Sequence, residues 1–186
     1  MSEPGELASG TDVAERIELR WAVFVGAVVL FLVVLILFTA VHWSTMPPSR
    51  VELVDPTTLH RAGEFTEDNL GTAIDDRNNV EVRVLAEQYA FRPHCLVVPR
   101  GIPVTFRATS SDVVHGFQII GTNVNSMLVP GYVSTFVVTL DEAGERTIPC
   151  HEFCGVGHTS MWATVHVVPA GEFRRLLTVH QRVSCD

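Results

Sequence analysis

The chain has 186 residues and a formal net charge of -8, with 21 acidic residues against 13 basic ones, all of them arginine. This acidic balance argues against a nucleic-acid partner and is compatible either with simple solubility or with docking of a basic protein. Its four cysteines are too few for a disulfide scaffold in a chain of this length. Two of them stand beside a histidine and a methionine, which indicates a metal site before a disulfide.

An uncharged apolar run, Trp21–Val41, predicts a membrane helix. At ~1.5 Å per residue it is about 31 Å long, which matches a hydrocarbon core of about 30 Å. A cleaved secretory signal is the alternative, but its apolar part would be about 7–15 residues long behind a basic leader, and here the preceding stretch is acidic. We therefore predict a cytoplasmic N-terminal segment over 1–20 and a retained anchor helix over 21–43. Trp21 and Trp43 would lie at the two lipid–water boundaries.

Arginines flank both ends of the apolar run, so the positive-inside rule does not set its orientation. Residues 44–79 are polar, carry Pro47-Pro48 and many acids, and show little periodicity, which predicts a linker leading out of the membrane. From Val80 the pattern Val-Glu-Val-Arg-Val alternates apolar and charged residues, as a half-buried strand does.

Short apolar runs separated by turn signals continue to residue 170, a pattern that favours an antiparallel sandwich or barrel over 80–170. The predicted further strands are Cys95–Val98, Val104–Ala108, Val114–Ile120, Val133–Leu140, Arg146–Pro149 and Trp162–Val168. The tail, 171–186, contains one short helical stretch near Glu172–Val179.

Soft metal donors are concentrated in one stretch near the C-terminus, where Cys150, Cys154, His158 and Met161 fall within a dozen residues. A further imidazole, His115, follows an upstream strand. Sulfur ligands together with imidazole suit copper rather than a hard, oxygen-seeking cation. A single blue-copper site needs only one thiolate with two imidazoles and a weak methionine, so this loop has one thiolate more than such a site uses.

Two thiolates four residues apart would be able to bridge two copper ions. His115 and His158 would then complete one copper each, and Met161 would be a weak ligand of one metal. The backbone carbonyl of Glu152, between the two cysteines, is well placed to be the weak ligand of the other.

The pattern Cys150-x3-Cys154-Gly155-x2-His158-x2-Met161, with Asp112-Val113-x-His115 upstream, resembles the binuclear copper (CuA) motif of cytochrome c oxidase subunit II. The single anchor helix resembles the short subunit II of ba3-type (B-family) haem–copper oxidases, because the commoner A-family form has two. This resemblance implies a mainly β fold: a cupredoxin-like Greek-key β-barrel preceded by one N-terminal transmembrane α-helix. The barrel would lie on the outer, periplasmic face of the cytoplasmic membrane.

The resemblance also implies a function and its partners. The chain would be the electron-input subunit of a respiratory terminal oxidase and would hold two copper ions. It would accept electrons from a c-type cytochrome or a small copper protein and pass them to haem in subunit I, where oxygen is reduced, with proton pumping by the whole complex. Contact with membrane lipid is expected, and contact with nucleic acid is not.

Three further positions acquire expected roles from the resemblance. A-family members carry aromatic residues ahead of the second strand where electrons arrive, and the corresponding residues here are Tyr89 and Phe91. Asp112 is either a turn residue or the group that orients His115. Glu152 occupies the position whose side chain binds Mg2+ in A-family enzymes, but B-family relatives often lack that acid, so Mg2+ is a minor expectation.

Other interpretations remain. A structural zinc site has no need of Met161. A one-copper electron carrier has no need of a second thiol, and a quinol oxidase subunit needs neither thiol. A membrane-anchored copper chaperone of thioredoxin type would place its cysteine pair at the start of a helix. A related nitric oxide reductase would use a similar copper subunit. Cys95 and Cys185 match nothing in the motif and would be able to pair in an oxidising compartment.

Overall fold

A computed structural model describes residues 10–43 and 51–185. The chain divides into an N-terminal helical unit and a compact unit that begins at Val51. The second unit is built from strands with one helix and two short 3-10 turns. The mainly β, cupredoxin-like architecture after one N-terminal apolar helix confirms the predicted fold class.

The N-terminal helix, α1, spans Gly10–Trp43 and has 34 residues. Its segment Val13–His42 has a mean hydropathy of 3.1 and is long and apolar enough to cross a membrane. Trp21 is 63% exposed at the start of the apolar run, as an interfacial ring requires. A helix that is apolar on all sides suits lipid better than water.

The helix extends further toward the N-terminus than the predicted anchor, because it already begins at Gly10, and the membrane boundary at residue 20 stays a prediction. Alanine, glutamate, leucine and arginine dominate the turns before Trp21, and these residues favour helix whether or not they lie in lipid. The first nine residues of the predicted cytoplasmic segment and the first seven residues of the predicted linker, 44–50, lie outside the described ranges.

Ten strands form the second unit, and they group into three sheets. They are β1 (Gly71–Ile74), β2 (Val80–Glu87), β3 (Ala90–Arg92), β4 (Cys95–Pro99), β5 (Pro103–Ser110), β6 (His115–Gln118), β7 (Asn125–Leu128), β8 (Ser134–Thr139), β9 (Gly144–Pro149) and β10 (Trp162–Val168). The first sheet has the order β1-β2-β5-β8 with β3 also on β2, the second has the order β4-β10-β9, and the third is the β6-β7 pair.

Most strand pairs are antiparallel, as the sequence pattern favours, but two pairs are parallel. β2 runs parallel to β5, and β4 runs parallel to β10. Connections that cross the barrel bring strands together that are not consecutive in sequence, and such a crossing allows two neighbours to run in the same direction. Predicted strand positions agree well where a strand is long and apolar. The predictions missed β1, β3 and β7, which have only four, three and four residues.

The core lies between the first two sheets. In β2, the alternate residues Val80, Val82 and Val84 are buried, while the charged residues between them are not, as the period of two predicts. Phe91 and Phe117 meet edge to face at 5.4 Å between ring centroids, in the middle of this core. This aromatic contact packs β3 against β6, the strand that begins at His115.

The described part of the predicted linker, 51–79, is not a linker but belongs to the barrel. It contributes β1, and four of the buried side chains there and on β2 form a small second core: Leu59, Phe65, Leu70 and Leu85. Arg83 and Arg107 face each other on β2 and β5, and the Glu64 carboxylate pairs with both. Because two adjacent cations need a counter-charge, this acidic segment is held against the sheet.

The predicted tail is likewise part of the fold. Helix α2 spans Ala170–Val179, as the sequence predicted within two residues, and it buries Phe173. Beyond it, Val183 is 3% exposed and exchanges two backbone hydrogen bonds with Thr72. Cys185 forms a disulfide with Cys95 across a sequence separation of 90 residues. The two cysteines that match nothing in the copper motif therefore fasten the C-terminus to β4.

Replacing both Cys95 and Cys185 by serine should lower the free energy of unfolding of the β unit. A crosslink that closes so long a loop removes entropy from the unfolded chain, and its loss typically costs about 2–4 kcal/mol. Urea unfolding of the full chain in detergent, followed by circular dichroism, measures the change. The wild-type chain with its disulfide reduced should unfold at the same urea concentration as the variant, and an unchanged midpoint in both would contradict a stabilising role.

Candidate metal centre

The loop that carries most of the predicted metal donors, residues 150–161, connects β9 to β10 in the second sheet. β9 ends at Pro149 and β10 begins at Trp162, and these two residues are paired in register. The loop is closed by the Cys150 N–H, which donates to the Met161 carbonyl at 3.0 Å. Within it, the N–H of His158 donates to the Gly155 carbonyl at 3.1 Å. Twelve residues are thus held at one end of a rigid sheet.

Three further donor side chains meet around the two thiols. The Sγ atoms of Cys150 and Cys154 lie 3.9 Å apart. The Nδ1 of His115 lies 4.0 Å from Cys150 Sγ, and the Nδ1 of His158 lies 3.8 Å from Cys154 Sγ. Met161 Sδ lies 3.7 Å from Cys154 Sγ. Each thiol therefore has one imidazole nitrogen beside it, although His115 comes from a different sheet.

The weak oxygen donor predicted from the sequence is also beside the thiols. The carbonyl oxygen of Glu152 lies 3.2 Å from Cys150 Sγ. Two groups of three histidine and cysteine side chains with neighbouring donor atoms occur within the described ranges. One contains the Cys95–Cys185 disulfide, the other is His115, Cys150 and Cys154, and Glu152 belongs to neither. A Mg2+ ion at the Glu152 carboxylate therefore stays a prediction from resemblance.

Burial distinguishes the inner ligands from the outer one. His115 is fully buried, and Cys150, Cys154 and Met161 are exposed by 7%, 5% and 2%. His158 is half-buried and lines a shallow cavity of about 590 Å³ that opens next to Trp162. Burial, with the neighbouring Cys150 as a further cause, raises the pKa of the Cys154 thiol to about 11. A thiol with a raised pKa gives up its proton more readily when a cation binds the sulfur in its place.

Asp112 fixes the orientation of His115. The Nε2–H of His115 donates to the Asp112 Oδ1 at 2.9 Å, because an ionised carboxylate only accepts. This leaves the lone pair of Nδ1 directed at the thiols. Partial burial alone would raise the pKa of Asp112, but hydrogen bonds from His115 and from the N–H groups of Gln88 and Val113 keep it below its usual value.

The two aromatic residues predicted to receive electrons have different environments. Tyr89 is 37% exposed, and its ring lies against Gly155 and Gly157 of the loop: a Cβ atom added at Gly157 would be 2.5 Å from the ring. Phe91 is only 1% exposed, so it is not itself available for contact with a docked protein, and its part in electron entry stays a prediction. Its side chain alternates with that of Ala90 on β3 and points into the core.

Sequence reasoning missed three residues around the loop. The side-chain Nε2 of Gln88 donates to the Cys154 carbonyl at 2.5 Å. Phe153 is 76% exposed and its ring meets that of His158 edge to face at 5.7 Å. Trp162 is 47% exposed beside the ligands. The two exposed aromatic rings were detectable as large apolar residues adjacent to ligands, whereas the contact of Gln88 crosses 66 residues of sequence.

The donor set fits copper. Two thiols, two imidazoles and one thioether are the ligands that copper selects, and the thioether is buried in contact with a thiol rather than exposed. Tetrahedral zinc has no use for this thioether.

Comparison with known proteins gives the family. The sequence model described as "Cytochrome C oxidase subunit II, periplasmic domain" matches residues 70–168. The chain belongs to the cytochrome c oxidase subunit II family. It is therefore a subunit of an oxidoreductase complex, and its β unit is a cupredoxin domain of the copper-binding type.

Relatives also show which form of subunit II this chain resembles. It is 36% identical to cytochrome c oxidase subunit 2 of Thermus thermophilus over 81% of this chain and 90% of that protein. Heme-copper oxidase subunit 2 of Aeropyrum pernix is 40% identical over 42% of this chain but only 34% of its own length. The match along 90% of the Thermus protein supports the prediction of the short, single-helix, ba3-type form.

Solved structures agree with the fold. A chain of a heme-copper terminal oxidase dimer, determined by cryo-electron microscopy, superposes with a TM-score of 0.57 and 30% identity over 83% of this chain and 99% of that chain. The periplasmic domain of subunit II of cytochrome oxidase of Bradyrhizobium japonicum superposes with a TM-score of 0.50 at 19% identity, over 54% of this chain and 92% of its own, which supports the fold alone. Membrane anchorage through α1 follows from the subunit II family and the single apolar helix.

Changing Gly157 to alanine should weaken the loop. The backbone of Gly157, with φ -89° and ψ 5°, accepts alanine, so the added methyl group acts only by pushing against the Tyr89 ring. Overpacking of this kind typically costs about 1–3 kcal/mol. We expect faster loss of copper to a chelator, measured by absorbance on the copper-loaded chain in detergent.

Gly171→Ala is the matched control, because a Cβ at that helical position has no neighbour within 4 Å. It should leave copper release unchanged. The double variant Gly157→Ala with Tyr89→Ala should cost less than the sum of the two single changes, since the clash is gone. Strict additivity would show that the contact between Tyr89 and Gly157 does not hold the loop.

Proposed function

We propose that this chain is the electron-input subunit of a respiratory haem–copper oxidase and holds a binuclear copper (CuA) centre between His115, Cys150, Cys154 and His158. The observation that carries the proposal is the meeting of two thiols 3.9 Å apart with one imidazole nitrogen within 4.0 Å of each. A blue-copper site with one ion uses a single thiolate, two imidazoles and a weak methionine, so the second thiolate here exceeds what such a site needs. Membership of the subunit II family supports the same assignment.

Each residue has one role in this proposal. The thiolates of Cys150 and Cys154 would hold both ions, and His115 and His158 would each supply one imidazole nitrogen. The thioether of Met161 and the carbonyl of Glu152 are weak donors that adjust the reduction potential more than they hold the metal. When bound, the copper pair takes up and releases one electron at a time without making or breaking bonds to substrate.

The protein itself restricts the motion of these donors and shields them from water. Four of the proposed ligand side chains are at least 93% buried, and the hydrogen bond from the Cys150 N–H to the Met161 carbonyl joins the two ends of the loop. The ligands therefore have little freedom to move when the charge of the centre changes, which favours fast electron transfer. Asp112 holds the ring of His115 in the tautomer that ligation needs.

The partners follow from the family and from the surface. The proposed donor is a c-type cytochrome or a small copper protein, and the acceptor is haem in subunit I, where oxygen is reduced and the complex pumps protons. In this proposal α1 lies in the cytoplasmic membrane and the barrel lies on its outer face.

Exposed apolar side chains lie on and beside the loop. Among them are Phe153, Val156 and Trp162, which are 76%, 95% and 47% exposed. Apolar groups beside a buried redox site suit contact with protein. Tyr89 is the proposed point of electron arrival, since its half-exposed ring touches the loop.

Copper stoichiometry with electron paramagnetic resonance tests the proposal directly. The full chain in detergent should bind two coppers, with one unpaired electron shared equally between both nuclei. Cys154→Ser should abolish the shared signal, because one bridging thiolate does not hold two ions. Met161→Leu is the matched control and should keep two coppers while shifting the reduction potential. One copper with a single-nucleus blue spectrum in the wild type would replace the proposal with a simple electron carrier.

Electron transfer from a basic cytochrome should slow as salt is added. The chain carries a net charge of -8, and opposite charge speeds encounter only within a screening length of about 10 Å at 0.1 M salt. Stopped-flow reduction of the copper-loaded chain at increasing ionic strength measures this. A small uncharged reductant is the control and should show no salt dependence. If the rate of electron transfer from the cytochrome does not change with ionic strength, apolar docking around Tyr89 would replace steering by charge.

A further inference from the structure

Gln88 lies in the turn between β2 and β3 and contacts the metal centre in two ways. Its backbone N–H donates to the Oδ2 of Asp112 at 2.7 Å. Its side-chain Nε2 donates to the backbone carbonyl of Cys154 at 2.5 Å. One residue outside the ligand set therefore touches the supports of two ligands that belong to different parts of the chain.

The first contact fixes the imidazole of His115. The two oxygens of the Asp112 carboxylate have different partners: Oδ2 accepts from the Gln88 N–H, and Oδ1 accepts from His115 Nε2 at 2.9 Å. The ring of His115 is fully buried, and its hydrogen bond to this carboxylate sets the orientation in which Nδ1 faces Cys150. Gln88 shares the support of this carboxylate with the Val113 N–H and the Ser110 hydroxyl, which donate to Oδ1 at 2.6 and 3.2 Å.

The second contact fixes the loop at one bridging thiol. The carbonyl that accepts from Gln88 belongs to Cys154 itself, and the next residue, Gly155, has a φ of +136° that favours glycine. A Cβ at Gly155 would lie 2.9 Å from Gln88 Nε2 and 2.6 Å from the Tyr89 hydroxyl. The loop therefore approaches the turn as closely as a backbone without side chains allows, and the amide of Gln88 fills the contact.

We propose that Gln88 is a positioning residue for the metal centre, which holds the His115 support and the Cys154 backbone at a set separation. This inference rests on the proposed binuclear copper site. Without the side-chain amide, the Cys154 carbonyl loses its donor and the second thiol is free to shift relative to the first. The distance between the two thiols then changes, and with it the sharing of the unpaired electron between the two coppers.

The test uses the full copper-loaded chain in detergent with Gln88→Met, which keeps the length of the side chain and removes its donor. Copper release to a chelator should be about 10-fold faster than in the wild type, as for loss of other groups that support a metal ligand. The paramagnetic resonance signal should become unequal between the two nuclei, and the reduction potential should shift. Gln88→Glu keeps the shape of the side chain and places an acceptor against the carbonyl. It should also speed copper release and make the signal unequal between the two nuclei. Gln181→Met, at an exposed position in the tail, is the matched control and should change none of these.

A merely structural role would lower the unfolding temperature of the metal-free chain and leave the spectrum and potential of the copper-bound form unchanged, and that result would overturn the proposal. So would wild-type release rates and spectra in Gln88→Met. A double variant with Asp112→Asn should be less damaging than the sum of the single changes if both act on one unit, whereas additive effects would contradict it. Fewer than two coppers in the wild type would refute the proposed function itself, independently of Gln88.

Discussion

The structure depends on holding two cysteine thiols in one buried volume without oxidising them to a disulfide. The Sγ atoms of Cys150 and Cys154 are 3.9 Å apart, beyond the roughly 2.0 Å of an S–S bond, and both are less than a tenth exposed. Burial raises the pKa of the Cys154 thiol, so an ionised pair is unfavourable without a cation between the sulfurs. The surrounding fold serves to keep this otherwise unfavourable pair in place and to bring further donors to it.

The barrel meets this demand by using its most rigid parts. Strands β9 and β10 pair along their length and present the two ends of the loop side by side, so the loop starts and finishes in fixed positions. His115 is delivered from the separate β6-β7 pair, whose Phe117 packs against Phe91 and Phe106 in the core. The turn at Gln88 and Tyr89 then covers the loop from the first sheet. Ligands from distant segments are thus connected through packed strands rather than through flexible chain.

The remaining elements stabilise that barrel from outside. The acidic segment before β1 neutralises the adjacent Arg83 and Arg107, and the C-terminal residues are fastened by hydrogen bonds from Val183 and by the Cys95–Cys185 disulfide. The chain thus contains two cysteine pairs of opposite use. One pair is joined and structural, and the other is held apart by its loop, where we propose that it binds copper. An oxidising compartment outside the membrane is compatible with both, provided that the second pair is protected by burial or by bound copper.

The sequence by itself determined the apolar helix and the long strands, because these follow from local periodicity. It also predicted six donors, at His115, Cys150, Glu152, Cys154, His158 and Met161, from ligand types at short spacing. Only the tertiary structure decided that 51–79 and the C-terminal residues belong to the barrel, since their few apolar residues and counter-charges act across long separations. It also decided that Phe91 is core while Tyr89 meets the loop, because a two-residue difference along a short strand does not reveal which side chain faces inward until the neighbouring sheet is in place. Gln88 escaped sequence reasoning for the same physical reason: a hydrogen bond between segments 66 residues apart has no signature in either segment alone.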